Sequence, residues 1–203
     1  MMSSTTFTTL PPGPPPEPIA RITVAQYHRM IDAGVWTDDD AIELLEGWLV
    51  PKMPKKSPHR VATWLLRDAL AKLLPAGWFV ESQEPLTTPD SELEPDIYVA
   101  KGKCRDYCDR HPGPKDVPLV VEVADATVAR DRGIKKRLYA RARIAVYWIV
   151  NLKARQIEVY TDPTGPGKAP DYRSSAIVDA DESIAVMLGS TRVGKIQVSD
   201  ILP

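Results

Sequence analysis

PLVVEVA, Pro118 to Ala124, is an apolar run interrupted by a single carboxylate, Glu122. Its length and Val content read as a buried strand of a sheet. Upstream, EPDIYVA, Glu94 to Ala100, repeats the arrangement with Asp96 as the acid. A charge inside such a strand is costly unless something pairs with it. Two acids so placed, followed by a helix loaded with Lys and Arg, point to a divalent cation and a phosphate.

Outward from this pair, the chain alternates strand and helix signals. Strands are predicted near 78–84, 95–100 and 118–124, with the polar loop KGKCRDYCDRHPGPKD between the last two. A basic helix follows over about 128–142, then strands near 145–151 and 156–161 and a β-rich end near 176–178, 183–188 and 196–198. On the N-terminal side, Thr23 caps a helix that Gly34 stops, with Val24, Tyr27, His28 and Ile31 near one face. AIELLEGWLV, residues 41–50, reads as a strand pair or bent strand around Gly47. Residues 58–74 form the clearest amphipathic helix, with Val61, Leu65, Ala69 and Leu73 at helical spacing. This order predicts an α/β fold, a mixed β-sheet flanked by helices with extra strands at the end. Residues 1–20, with six prolines between Pro11 and Pro18, read as a disordered Pro/Ser/Thr-rich leader, and 21–203 as a single domain.

The totals narrow the class. With 203 residues, 43% of them hydrophobic, the chain can bury a real core. A formal charge of -1 means that attraction to a polyanion must come from local clustering. Two cysteines, Cys104 and Cys108, argue against a disulfide scaffold and fit a reducing, cytoplasmic setting. No apolar run reaches the roughly 20 residues of a membrane span, and the start lacks a signal-peptide pattern.

Mg²⁺ (or Mn²⁺) takes hard oxygen ligands, so Asp96 and Glu122 are the candidate metal ligands. Side chains alternate along a strand, placing Asp96 with Tyr98 and Glu122 with Val120 and Ala124; whether the two faces coincide depends on strand order. A lysine near such a metal holds the attacking water. None sits two residues after Glu122, and the next are Lys135 and Lys136, with Asp131 one turn before Lys135. Arg130 to Arg143 holds seven Lys/Arg and one acid, a density able to grip a phosphate backbone through Arg130, Arg132, Lys136 and Arg137. The competing reading is a solvated helix face with Ile134, Leu138 and Ala142 turned to the core. Glu43 is a further carboxylate, with Glu46 its competitor on the opposite strand face. His59, at the start of the amphipathic helix, either touches phosphate or metal or bonds backbone. The five tryptophans read as core and interface packing. Cys104, Cys108 and His111 lack the fourth ligand of a zinc site, and Asp38-Asp39-Asp40 reads as a turn. No phosphate-cradling glycine loop or nucleophile elbow is present.

Ile42–Val50, Ser57–His59, Glu94–Val99, Leu119–Thr127, Asp131–Val150 and Ile157–Tyr160, in that order and spacing, resemble the Uma-two family. Its core is restriction endonuclease-like, of the PD-(D/E)xK nuclease superfamily. The resemblance implies Asp96 and Glu122 as the acid pair, Lys135 as a lysine moved from the strand to the next helix, and Glu43 as the upstream acid. It also implies a homodimer. Two departures are Ala124-Asp125-Ala126-Thr127, where Ser-Pro-Ser/Thr is common, and Asn151, where an acid is frequent and which is expected to touch only a turn. The leading expectation is a metal-dependent nuclease acting on DNA. The alternatives are a non-catalytic nucleic-acid-binding module working through the basic helix, and a homodimeric protein-interaction module using the leader.

Overall fold

The computed structural model describes residues 18–37 and 39–203. Most of the Pro-rich leader, and Asp38 of the three-aspartate run, lie outside the described residues. In chain order the elements begin with α1 (Val24–Asp32), β1 (Ile42–Leu45), β2 (Trp48–Pro51), α2 (Ser57–Leu73), β3 (Trp78–Glu81), β4 (Leu86–Thr87), β5 (Glu92–Leu93) and β6 (Ile97–Lys101). After a 3₁₀ turn at Cys104–Tyr107 come β7 (Leu119–Ala124), α3 (Val128–Arg130), a π-helical turn (Asp131–Lys135), α4 (Lys136–Arg141), β8 (Val146–Asn151), β9 (Gln156–Pro163), β10 (Tyr172–Asp179), β11 (Ser183–Leu188) and β12 (Thr191–Gln197). The chain divides into two compact units: the described residues up to Met53 with Pro89–Glu92, and Pro54–Thr88 with Leu93–Pro203.

In the first unit, α1 starts at the Thr23 cap that its sequence predicts, and the structure completes it as a capping box with Gln26. The Thr23 hydroxyl accepts from Gln26 N–H at 3.2 Å, and the Gln26 side chain accepts from Thr23 N–H at 2.9 Å. β1 and β2 form a hairpin whose turn residues, Glu46 (φ 50) and Gly47 (φ 80), are both left-handed. Glu46 is therefore a turn residue, not the strand residue expected to oppose Glu43. A Cβ on Gly47 would stand 2.7 Å from Arg21 Cβ and 2.9 Å from the Ile22 carbonyl, so the close approach of that chain requires glycine. Leu44 of β1 pairs with Glu92, which also takes a 2.9 Å contact from His28 Nε2.

The second unit holds a six-stranded sheet in the order β10-β9-β8-β7-β6-β3. β7 and β8 run parallel, joined by the helical segment 128–141, and the other neighbours pair antiparallel. Alternation divides the sheet cleanly. Ile97, Val99, Leu119, Val121, Val123, Val146, Trp148, Val150 and Ile157 turn to one face, where they pack with Ala62, Leu66 and Leu70 of α2 and with Ile184, Val186 and Ile196 of the β11–β12 hairpin. The opposite face carries Tyr98, Glu122, Tyr147, Ile149 and Glu158.

α2 packs by His59, Ala62, Thr63, Leu66 and Leu70. The stripe expected through Val61, Leu65, Ala69 and Leu73 is the flank of that face, and Val61 is 38% exposed. Both stripes have helical spacing; the sheet selects the one offset by a residue. Of the five tryptophans Trp148 is the one fully buried in the core, at 1% exposure, and Trp78 packs against that core, whereas Trp64 is 63% exposed. Among the described residues no helix is long and apolar enough to cross a membrane.

Candidate active site

The β6–β7 register fixes how the two acid-bearing strands pair. Ile97 pairs with Val121, Tyr98 with Val120 and Val99 with Leu119. Asp96 lies one residue before β6, outside the paired residues, and its side chain reaches β7 at the residue after Glu122 by accepting from Val123 N–H. Both carboxylates are buried, at 5% and 6% exposure.

Asp96 is held from three sides. Its Oδ2 accepts from His59 Nε2 at 2.9 Å and from Val123 N–H at 2.8 Å, while Oδ1 lies 3.3 Å from Lys55 Nζ. The Val123 bond continues the ladder where β6 begins, a side chain standing in for backbone. Burial pushes the Asp96 pKa up, but the His59 bond, the charges of His59 and Lys55, and the Val123 N–H outweigh it and leave it lowered. His59 is in turn steadied by Thr63, whose hydroxyl donates to the His59 carbonyl at 2.9 Å and sits 3.4 Å from Nδ1.

Glu122 faces the other helix. Its Oε1 accepts from Tyr139 Oη at 2.6 Å and lies 3.4 Å from Lys135 Nζ, an ammonium 4% exposed. Asp131, Lys135 and Tyr139 recur every four residues, and the π-helical turn between Asp131 and Lys135 carries this inward stripe into α4. Asp131 is 4% exposed and accepts from the Thr127 hydroxyl at 2.6 Å. Burial pushes its pKa up to about 6, with the Asp96 charge adding to the rise and the Thr127 bond and Lys135 opposing it. A carboxyl poised between protonation states thus stands within electrostatic reach of the lysine and of Asp96.

The structure therefore gathers His59, Asp96, Glu122 and Lys135 in the second unit. Glu43 lies in the first unit, on β1 opposite Val50, at 4% exposure. Beside them the structure sets Tyr139, Lys55 and Thr63, and Asp131, which the sequence marks only as a neighbour of Lys135. The four-residue spacing of 131, 135 and 139 is the signal that identifies Asp131 and Tyr139; nothing in the sequence marks Lys55 and Thr63.

Two cations of the basic helix, Arg132 and Lys136, are engaged with acids. Arg132 forms a two-pronged pair with Glu158, Nε to Oε2 and Nη2 to Oε1, each at 2.8 Å. Lys136 Nζ lies 2.9 Å from Asp171 and 5.2 Å from the Tyr160 ring centre. Arg130 and Arg137 are partly buried on the same segment. Glu158, 4% exposed, also accepts from Asn151 at 3.1 Å and from Tyr160 at 2.9 Å, so that these bonds overcome its burial and lower its pKa. Asn151 thus does more than shape a turn: its Oδ1 accepts from Ala154 N–H at 3.1 Å while its amide holds Glu158.

Comparison with known proteins agrees with this architecture. The Uma2 family, described as "Putative restriction endonuclease", matches residues 24–191. A crystal structure of "a putative nuclease belonging to DUF820" from Anabaena variabilis ATCC 29413 superposes with a TM-score of 0.62 over 89% of this chain and 97% of that one. At 13% sequence identity the likeness is one of fold. No curated protein matches the chain.

Proposed function

This chain belongs to the Uma2 family of restriction endonuclease-like proteins, and on that premise we propose that it is a metal-dependent endonuclease that hydrolyses phosphodiester bonds in DNA. The observation that carries the reading is the buried Lys135–Glu122 pair, 3.4 Å apart, on the strand whose next residue, Val123, donates its N–H to Asp96.

The donor chemistry fits a hard divalent cation such as Mg²⁺ or Mn²⁺. Two buried carboxylates offer oxygen ligands, and among the described residues Asp96 Oδ1 meets only the half-exposed Lys55. Asp96 and Glu122 would hold the ion, which when bound neutralises charge on the phosphate and acidifies a water. The remaining roles fall to the chain's own groups. His59 and the Val123 N–H fix Asp96 through Oδ2, leaving Oδ1 for a ligand. Tyr139 donates to Glu122 and holds its Oε1 in place. Lys135, buried beside Glu122, orients the attacking water and stabilises the negative charge that develops on the phosphoryl oxygens. Binding without cutting, through the basic helix, has less support, because Arg132 and Lys136 are already committed to Glu158 and Asp171.

Calorimetric Mn²⁺ titration followed by cleavage assays on mixed nucleic acids tests the reading. The wild type should bind the ion and cut, and Glu122→Gln should lose both while keeping its fold. Cleavage that persists in a clean Asp96→Ala/Glu122→Ala double variant would refute the assignment.

A further inference from the structure

The outward side of α2 plays no part in holding the acids. Arg60, Trp64 and Arg67 recur at intervals of four and three, which aligns them along one stripe opposite His59, Ala62, Leu66 and Leu70. Trp64 is 63% exposed. Arg60 and Arg67 are exposed, and among the described residues neither pairs with an acid. Asp68, on the flank of the stripe, is neutralised by Lys72 at 2.6 Å. The stripe also begins at the site. Lys56 precedes the first turn with its side chain 71% exposed, 3.7 Å from Asp125. Lys55 reaches Asp96 Oδ1 at 3.3 Å with 34% exposure, which makes it a cation at the acid cluster that solvent can reach.

We infer that this face of α2 binds a nucleic-acid strand, its phosphates on Lys56, Arg60 and Arg67, an unpaired base stacked on Trp64, and the adjoining phosphate brought to Lys55 beside Asp96. An exposed aromatic ring between unpaired arginines has the chemistry of a single-strand platform: every base offers a π-face, and the cations follow the backbone. Arg60 and Arg67 are about 10 Å apart along the helix axis, room for two or three successive phosphates of one strand. The inference rests on the nuclease reading and adds to it a substrate class, a strand with unpaired bases near the cut.

The test is fluorescence anisotropy with a labelled single-stranded oligonucleotide and a duplex of equal length, titrated in EDTA so that binding is read apart from cleavage. Trp64→Ala should weaken single-strand binding about tenfold or more. Arg60→Ala with Arg67→Ala should weaken it and lower the slope of log affinity against log salt by about 1.4. Trp64→Phe and the double arginine-to-lysine variant should keep most of the affinity, and unchanged melting temperatures would show that the fold is intact. Wild-type affinity and salt slope in both α2 variants would overturn the inference while leaving the nuclease reading standing, as would a wild type that binds only duplex. A wild type that neither binds nor cuts any nucleic acid, with Mn²⁺ supplied in the cleavage assay, would remove the nuclease reading and this inference with it.

Discussion

α2 and the helical segment 128–141 pack on opposite faces of one sheet, and both are rich in Lys and Arg, but they direct their cations in opposite senses. The 128–141 segment is the more basic in sequence. In the fold it turns Lys135 inward to Glu122 and engages Arg132 and Lys136 with Glu158 and Asp171. α2 buries an apolar stripe and leaves Arg60 and Arg67 in water on either side of Trp64. Charge counted along a chain is therefore not charge available to a ligand; the acids contributed by distant strands decide how much remains.

The sharpest way to break this comparison is at Lys135. Replacing it with Met should abolish cleavage and cost about 3–5 kcal/mol of stability, because Glu122 would keep its burial and lose its counter-charge. Arg60→Ala, on the exposed face of α2, should change stability by no more than about 0.5 kcal/mol. Cleavage assays and urea denaturation of the two variants check both halves. A Lys135→Met protein as stable as the wild type would show that the inward ammonium is not what holds the pair.

Much of this was legible beforehand, and the reasons are physical. The two acid-bearing strands stood out because a carboxylate in an apolar run needs a partner, and the capped helix at Thr23 and the hairpin around Gly47 follow from local chemistry. The bond from Val123 N–H that brings Asp96 to the strand of Glu122 was not legible, since it depends on which strands pair and in what register. The ion pairs of the basic helix were not legible for the same reason: Glu158 and Asp171 are far from Arg132 and Lys136 in sequence. On α2, two stripes one residue apart both fit the helical period, and only the sheet beneath selects Leu66 over Val61. Leu66→Ala should therefore cost about 2–5 kcal/mol and Val61→Ala well under half of that, measured by chemical denaturation. Equal losses would reinstate the stripe read from sequence.

A third contrast lies between the acids of the two helices' faces. Asp96, bonded to His59 of α2, has a lowered pKa, so its contribution to stability is present above about pH 4 and is lost as pH falls through the lowered value. Asp131, on the π-helical turn, is pushed up to about 6. Its folded form holds the proton more tightly than the unfolded chain, so its contribution is full below about pH 4 and is lost as pH rises through 6. In metal-free buffer, Asp131→Asn should flatten the stability profile between pH 4 and 6 and gain about 2–3 kcal/mol relative to the wild type at pH 7. Denaturation at pH 4.5 and pH 7 checks the sign. A variant that loses stability at neutral pH would mean that the charged carboxylate is held by Lys135 more strongly than burial opposes it.

The smallest effect separates the helices most cleanly. Arg132 is 50% exposed and Glu158 keeps two other donors, Asn151 and Tyr160, so Arg132→Ala should cost only about 1 kcal/mol. Its influence on strand binding should be smaller still. An arginine already neutralised by a two-pronged carboxylate contributes little field to a phosphate, and releasing it would expose the Glu158 charge it now covers. Anisotropy titrations should give an affinity within about twofold of the wild type, with the salt slope unchanged. If Arg132→Ala instead weakened binding as much as the α2 arginine pair, phosphate would be competing successfully with Glu158 for the guanidinium. The basic helix would then regain the role that its sequence advertises.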